Sequence, residues 1–139
     1  MKIMSVDLGK VRTGIALSDK NEYLASPLCV INETNRDKLA KKVSDIANDN
    51  GALEIVLGLP LNMDGSEGES AKSAREFSVT LSKYTDIKIV LQDERGTTIS
   101  AHNYLNVTDT KGKKRKKVID AVAATIILQY YLDFRRNKK

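Results

Sequence analysis

Residues 2–18, Lys2-Ile-Met-Ser-Val-Asp7-Leu-Gly9-Lys-Val-Arg12-Thr-Gly14-Ile-Ala16-Leu-Ser18, read as two strands, Lys2–Asp7 and Thr13–Ser18, joined by a short turn containing Gly9. A third strand-like run, Leu24–Ile31, follows, with an irregularity at Pro27. Three short strands in succession predict an antiparallel meander. The first of them ends on a carboxylate, Asp7, although its interior is otherwise mostly apolar.

Beyond the meander the period changes. Asn35–Asn50 places Leu39, Val43, Ile46 and Ala47 at helical spacing, with Thr34 or Asn35 as cap and Gly51 as stop. Glu54-Ile-Val-Leu57 is a nearly all-apolar strand of the kind covered on both faces, and it runs into Gly58-Leu-Pro60. Asn62–Ser70 reads as a polar loop, Ala71–Lys83 as a helix with Ala74, Phe77 and Leu81 inward, and Ile87–Leu91 as another buried strand. Thr98–Leu105 is predicted to be a short helix, Lys111–Lys117 a basic loop, and Val118–Phe134 a helix apolar on most of its circumference. The expected fold is α/β: a mixed five-stranded sheet, three antiparallel strands continued by parallel βα units and flanked by helices, which is the layout of an RNase H-like domain. Nothing in residues 1–139 marks a repeat or linker, so one domain is expected.

Composition narrows the function. One cysteine, Cys29, and one histidine, His102, leave no basis for a zinc site or a Cys-His dyad. Cys29 reads as a small buried hydrophobe and His102 as a surface or packing residue. No membrane-length apolar stretch and no secretory signal are evident, so no membrane partner and a reducing, cytoplasmic setting are expected. The net charge of +5 is segregated: Lys111-Gly-Lys-Lys-Arg-Lys-Lys117 carries six cations and Arg135, Arg136, Lys138 and Lys139 four, so the remainder is net negative. A run of this kind is either a solvated loop or a phosphate-binding patch. Its place just before Asp120 favours phosphate, with nucleic-acid contacts expected from Arg12, Arg95, Lys111, Lys113, Lys114, Arg115, Lys116 and Lys117, and with Arg135 and Arg136 also available to track a backbone.

Three acidic positions stand at the boundaries of regular elements: Asp7, the pair Asp93-Glu94 after Ile87–Leu91, and Asp120 before Ala121-Val-Ala-Ala-Thr-Ile-Ile-Leu128. Oxygen donors suit Mg²⁺ or Mn²⁺, ions that take one or two carboxylates together with substrate phosphates. Each position also has a plainer reading. Asp7 could simply open a turn, and Asp120 could be an N-cap. Arg12 could hold a phosphate or pair with an acid. Neighbours on a strand point to opposite faces, so one of Asp93 and Glu94 reaches a common site while the other pairs with Arg95 or caps the next helix; Glu94 is preferred as the metal ligand. Thr97 and Thr98 read more simply as caps. The loop around Asn62–Gly68 could close on a substrate or stay solvated.

The four segments Asp7-Leu-Gly-x-x-Arg-x-Gly-x-Ala16, Gly58-Leu-Pro60, Asp93-Glu-Arg95 with Thr97-Thr98, and Lys116-x-x-x-Asp120-x-x-Ala-Ala-x-x-Ile-Leu128 together resemble the YqgF family across essentially the whole chain. Its members are described as nucleases that process pre-16S rRNA and, earlier, as Holliday junction resolvases. The resemblance implies an RNase H-like nuclease with catalytic acids at Asp7, Glu94 and Asp120, and with Asp93 a further candidate for the metal. Gly96 departs from the family pattern, where a larger residue follows Asp-Glu-Arg.

The function so implied is metal-dependent phosphodiester hydrolysis of structured nucleic acid, with 5′-end processing of pre-16S rRNA in ribosome biogenesis as the first reading. Cleavage of branched DNA at a Holliday junction is one alternative, and a non-catalytic nucleic-acid-binding module working through the basic run is another. The sequence is compatible with a monomer or a weak homodimer.

Overall fold

The computed structural model describes residues 1–62, 64–93 and 112–137, with the backbone alone for 112–120 and 137. Its elements are β1 (Lys2–Asp7), β2 (Arg12–Ser18), β3 (Ala25–Asn32), α1 (Arg36–Asp49), β4 (Ala52–Leu59), α2 (Glu69–Ser82), β5 (Lys88–Asp93) and α3 (Gly112–Asn137). The five strands form one sheet in the order β3-β2-β1-β4-β5. β1 pairs antiparallel with β2 and parallel with β4, β2 pairs antiparallel with β3, and β4 pairs parallel with β5. The expected meander and parallel βα continuation are both present.

Alternation along β1 and β4 explains the layering. Met4, Val6, Ile55, Leu57 and Leu59 enter a core with Leu39, Val43, Ala47, Ala74, Phe77 and Leu81 from α1 and α2. Ile3 and Val56, one residue out of phase, enter a second core with Ala16 and with Ala124, Ile127, Leu128, Tyr131 and Leu132 of α3. Helices thus cover both faces of the central strands, which is why these strands carry so few polar residues. Helix α1 begins as its sequence predicts: the Asn35 side chain accepts a hydrogen bond from the Lys38 amide at 2.9 Å. It ends before Gly51, whose φ of +69° is the left-handed conformation that glycine adopts readily.

The basic run does not form the loop expected of it. Helix α3 starts at Gly112, so Lys113–Lys117 lie on its first turns and Asp120 lies inside the helix, not at its cap. Lysine and arginine are good helix formers, and once the apolar turns from Ala121 onward are packed, each residue added at the amino end requires little more than its own hydrogen bond. The expected Thr98–Leu105 helix, with Thr97, Thr98 and His102, lies outside the described residues.

At the amino edge of the sheet, α3 is secured by charge. Tyr131 donates a hydrogen bond to the buried Glu54 carboxylate, and Arg135 reaches Glu54 at 3.4 Å and Glu22 at 3.2 Å. Glu22 also meets the Met1 ammonium at 3.1 Å. Gln129 accepts from the Ala25 amide and donates to the Tyr23 carbonyl, both at 2.9 Å, and Arg136 lies over the Tyr23 ring. Arg135 and Arg136, grouped with the phosphate-tracking residues on sequence grounds, are here engaged in holding the helix down.

Burial first, and then the Glu54 carboxylate it donates to, hold the Tyr131 phenol above its ordinary pKa. The folded chain therefore keeps that proton more tightly than the unfolded one, and this contribution, complete below about pH 10, is lost as pH rises through the higher folded value. Tyr131→Phe is expected to lower the unfolding free energy by about 1–3 kcal/mol at pH 8. Urea titrations should show the gap between the two proteins narrowing above about pH 10.

Candidate active site

The carboxyl ends of the three mutually parallel strands lie at one edge of the sheet, opposite the Glu54 network. Asp7 terminates β1 there. Its alternation partners Ile3 and Ser5 face α3, Ile3 within the second core and Ser5 through a hydrogen bond, so Asp7 belongs to the α3 face. Its cross-strand partner on β2 is Gly14. On β4, the register Val6↔Leu57 brings Gly58 alongside Asp7, and Gly58 in turn pairs with Gln92 of β5. The row across the α3 face is therefore Gly14, Asp7, Gly58, Gln92. Both residues beside Asp7 in that row lack a side chain.

Arg12 opens β2, two residues before Gly14, and shares the α3 face with Asp7 at the same edge. Asp93 pairs with Leu59 and follows Leu91 by two residues, which sets it on the α1–α2 face, away from Asp7. Glu94, Arg95, Gly96 and Lys111 lie outside the described residues, and of Lys113, Lys114, Arg115, Lys116, Lys117 and Asp120 only the backbone is described.

The backbone of α3 nonetheless places Asp120. Ser5, fully buried in β1, donates its hydroxyl to the Ala124 carbonyl at 2.6 Å. Farther down, Tyr131 meets Glu54, which is level with the start of β1, so α3 runs antiparallel to β1. From Ser5 to Asp7 the strand advances about 6.6 Å, and from Ala124 back to Asp120 the helix advances about 6 Å in the same direction. Asp7 and the Asp120 backbone thus come level on the same face. The first turns of α3 continue about 12 Å past Asp120, and helical periodicity puts Lys113 and Lys117 on the stripe of Asp120 and Ala124, with Arg115 on the opposite side.

The turn that follows Asp7 is closely built. A side chain at Gly9 would set its Cβ 1.9 Å from the Arg12 carbonyl oxygen. The Gly9 carbonyl accepts from Arg36 Nη1 at 3.0 Å, and the Gly9 amide approaches Thr13 Oγ1 at 3.4 Å. The Asn62–Gly68 loop closes on itself, with Ser66 bonded to Asp64 and Asn62, and Glu67 forms a two-point pair with Arg75 at 2.6 and 2.7 Å. A surface depression of about 630 Å³ between Asn48, Leu53 and Lys83–Lys88 lies at the other edge and is lined by none of the candidate acids.

Among the described residues no three His, Cys, Asp or Glu side chains come together as a metal site; Glu94 lies outside them, and of Asp120 only the backbone is described. The carboxylates of Asp7 and of the acids that the sequence adds to it are hard oxygen donors of the kind that Mg²⁺ and Mn²⁺ take. Sequence reasoning noted Gly58-Leu-Pro60 without finding its use as the neighbour of Asp7, because strand register is not visible in one sequence. It gave no role to Ser5, whose only signal is a hydroxyl in an otherwise apolar strand interior.

Comparison with known proteins adds the following. Residues 1–134 match the family model described as RuvX: Holliday junction resolvase. A Pelagibacter ubique protein named "Putative pre-16S rRNA nuclease" is 38% identical over 137 residues, 99% of this chain and 91% of its own. A Paracoccus denitrificans protein of the same name is 44% identical over 131 residues, 94% of this chain and 83% of its own. T. thermophilus RuvC in complex with a Holliday junction substrate superposes with a TM-score of 0.62 at 9% identity, covering 99% of this chain and 96% of that one. That last likeness is one of fold, and it bears out the RNase H-like layout.

Gly9→Ala is expected to cost about 1–3 kcal/mol, because the atom it would strike is backbone and the turn itself has to move. Urea denaturation would measure the loss, and amide chemical shifts should change from Leu8 to Thr13 while those of β4 and α2 stay in place.

Proposed function

The chain belongs to the RuvX Holliday junction resolvase family, and from that premise we propose that residues 1–139 form a single nuclease domain that cleaves structured RNA, with the 5′ leader of precursor 16S rRNA as substrate. The observation that carries this reading is the row Gly14–Asp7–Gly58: a carboxylate at a strand end, flanked by glycine on both neighbouring strands, level with the turn of the helix that bears Asp120. A carboxylate that served only to start a turn would need no such flanking glycines. Relatives 36–44% identical to this chain carry the pre-16S rRNA name, and that favours RNA over branched DNA.

Asp7, Glu94 and Asp120 are assigned as the residues that hold Mg²⁺ or Mn²⁺. Asp93 lies on the face away from Asp7, which favours its sequence neighbour Glu94 over Asp93 for this role. Bound divalent ions supply activation of water and stabilisation of the leaving oxygen, so no histidine or covalent nucleophile is needed. The protein's own part is to fix the acids. Arg12, on the same face, takes a phosphate oxygen close to the cut. Lys113 and Lys117, on the overhanging turns of α3, hold phosphates farther along the strand without reading bases.

The decisive experiment is cleavage of an end-labelled precursor 16S rRNA leader, beside a four-way DNA junction, with Mg²⁺ or Mn²⁺. Wild type should cut the RNA only with metal, and Asp7→Asn should lower the rate by at least about 10²-fold. Cutting of the junction alone would replace RNA by branched DNA as substrate, and cutting of neither would overturn the nuclease assignment. In an Asp7→Asn background, replacing Lys113 and Lys117 by Ala should weaken RNA binding and reduce the slope of log affinity against log salt by about 0.7–0.9 per lysine.

A further inference from the structure

We infer that Ser5 is a positioning residue that sets the placement of Asp120 relative to Asp7 through its hydrogen bond to the Ala124 carbonyl. This rests on the assignment of Asp7 and Asp120 to metal binding, and it adds a residue that touches neither metal nor substrate.

Ser5 is an anomaly for folding alone. Its neighbours Ile3, Met4 and Val6 are fully buried and apolar, and so is Ser5's own position. Alanine would pack there with no polar group to satisfy. In an α-helix the Ala124 carbonyl already accepts the amide four residues on, so the serine hydroxyl adds a second donor to an acceptor that was not in need of one. What the bond adds is direction: apolar contact between α3 and the sheet resists separation but not small tilts or slides, whereas a 2.6 Å hydrogen bond fixes one point.

That point is the one that matters for the acids. Ser5 is two residues from Asp7 on the same face, and Ala124 is one helical turn from Asp120. Gln129, Tyr131, Arg135 and Arg136 also tie α3 to the sheet side, all toward the opposite edge. From Gln129 to Asp120 is a lever of about 13.5 Å, so a helix pivoting at that end would move Asp120 by about 0.2 Å for each degree of tilt. Metal–oxygen distances tolerate deviations of about 0.2 Å. Ser5 removes that tilt near the acid.

The test uses the full chain as wild type, Ser5→Ala, Ser5→Thr and Gln129→Ala, the last removing a tie of α3 at the far edge. Three quantities are measured: the Mn²⁺ concentration for half-maximal cleavage of the precursor leader, Mn²⁺ binding by calorimetry without substrate, and the urea midpoint. Ser5→Ala should need about tenfold more Mn²⁺ in both metal measurements, within the 10–100-fold range typical of residues that orient ligands. Ser5→Thr, which keeps the hydroxyl, should stay at the wild-type demand. Gln129→Ala should lower the urea midpoint at least as much as Ser5→Ala and leave the Mn²⁺ demand unchanged. An unshifted Ser5→Ala in a wild type that cuts with metal overturns this inference alone, as does an equal shift in Gln129→Ala or in Ser5→Thr. A wild type that neither binds Mn²⁺ nor cuts overturns the metal assignment and this inference with it.

Discussion

Burial of β1 on both faces is the constraint from which the rest of the arrangement follows. A strand between two packed layers has no side on which a charge can meet water, so an acid in it either stands at an end or, like Glu54 in β4, takes a buried partner. Asp7 is at that end. The same constraint puts α3 across the sheet on the side opposite α1 and α2, because the face holding Ile3, Ala16 and Val56 has to be covered by something apolar, and α3 supplies Ile127, Leu128 and Leu132. Once α3 lies there antiparallel to β1, its first turns are carried past the edge that Asp7 occupies. The acid and the basic turns are neighbours because the core demands it.

Buried charge is handled differently at the two edges. At the amino edge Glu54 is enclosed and answered at once by Tyr131 and Arg135, with Glu22 and the Met1 ammonium extending the chain of contacts. There the charges complete one another. At the carboxyl edge the positions flanking the acid are glycines, so what stands beside it on the neighbouring strands is backbone.

Much of this was legible from residue order. The alternation in Lys2–Asp7, the apolar Glu54–Leu57 run and the spacing of Ala74, Phe77 and Leu81 each report a local period, and local periods survive in a sequence. Asn35 was readable as a cap for the same reason, since capping needs only residues within one turn. The start of α3 was not readable, because a run of lysines carries equal signals for a solvated loop and for helix, and the packing of Ala124 and Leu128 on a distant strand decides between them. The pairing of Asp7 with Gly14 and Gly58, and the face taken by Asp93, depend on register between strands dozens of residues apart. No single stretch encodes that. Of the four acids singled out, the structure brings Asp7 and the Asp120 backbone together and sets Asp93 apart, while Glu94 lies outside the described residues.

The glycines beside Asp7 have a separate consequence, for how such an edge can be silenced. Charge at this position belongs to the acid, but admission to it belongs to two residues that carry no functional group, on two different strands. The two properties can therefore change independently. A methyl group grown at position 58 would stand beside Asp7 in the same row while leaving every acid unchanged. A homologue with all its acids intact can therefore still differ at this edge, and what has to be compared is the pair of residues on either side of the carboxylate.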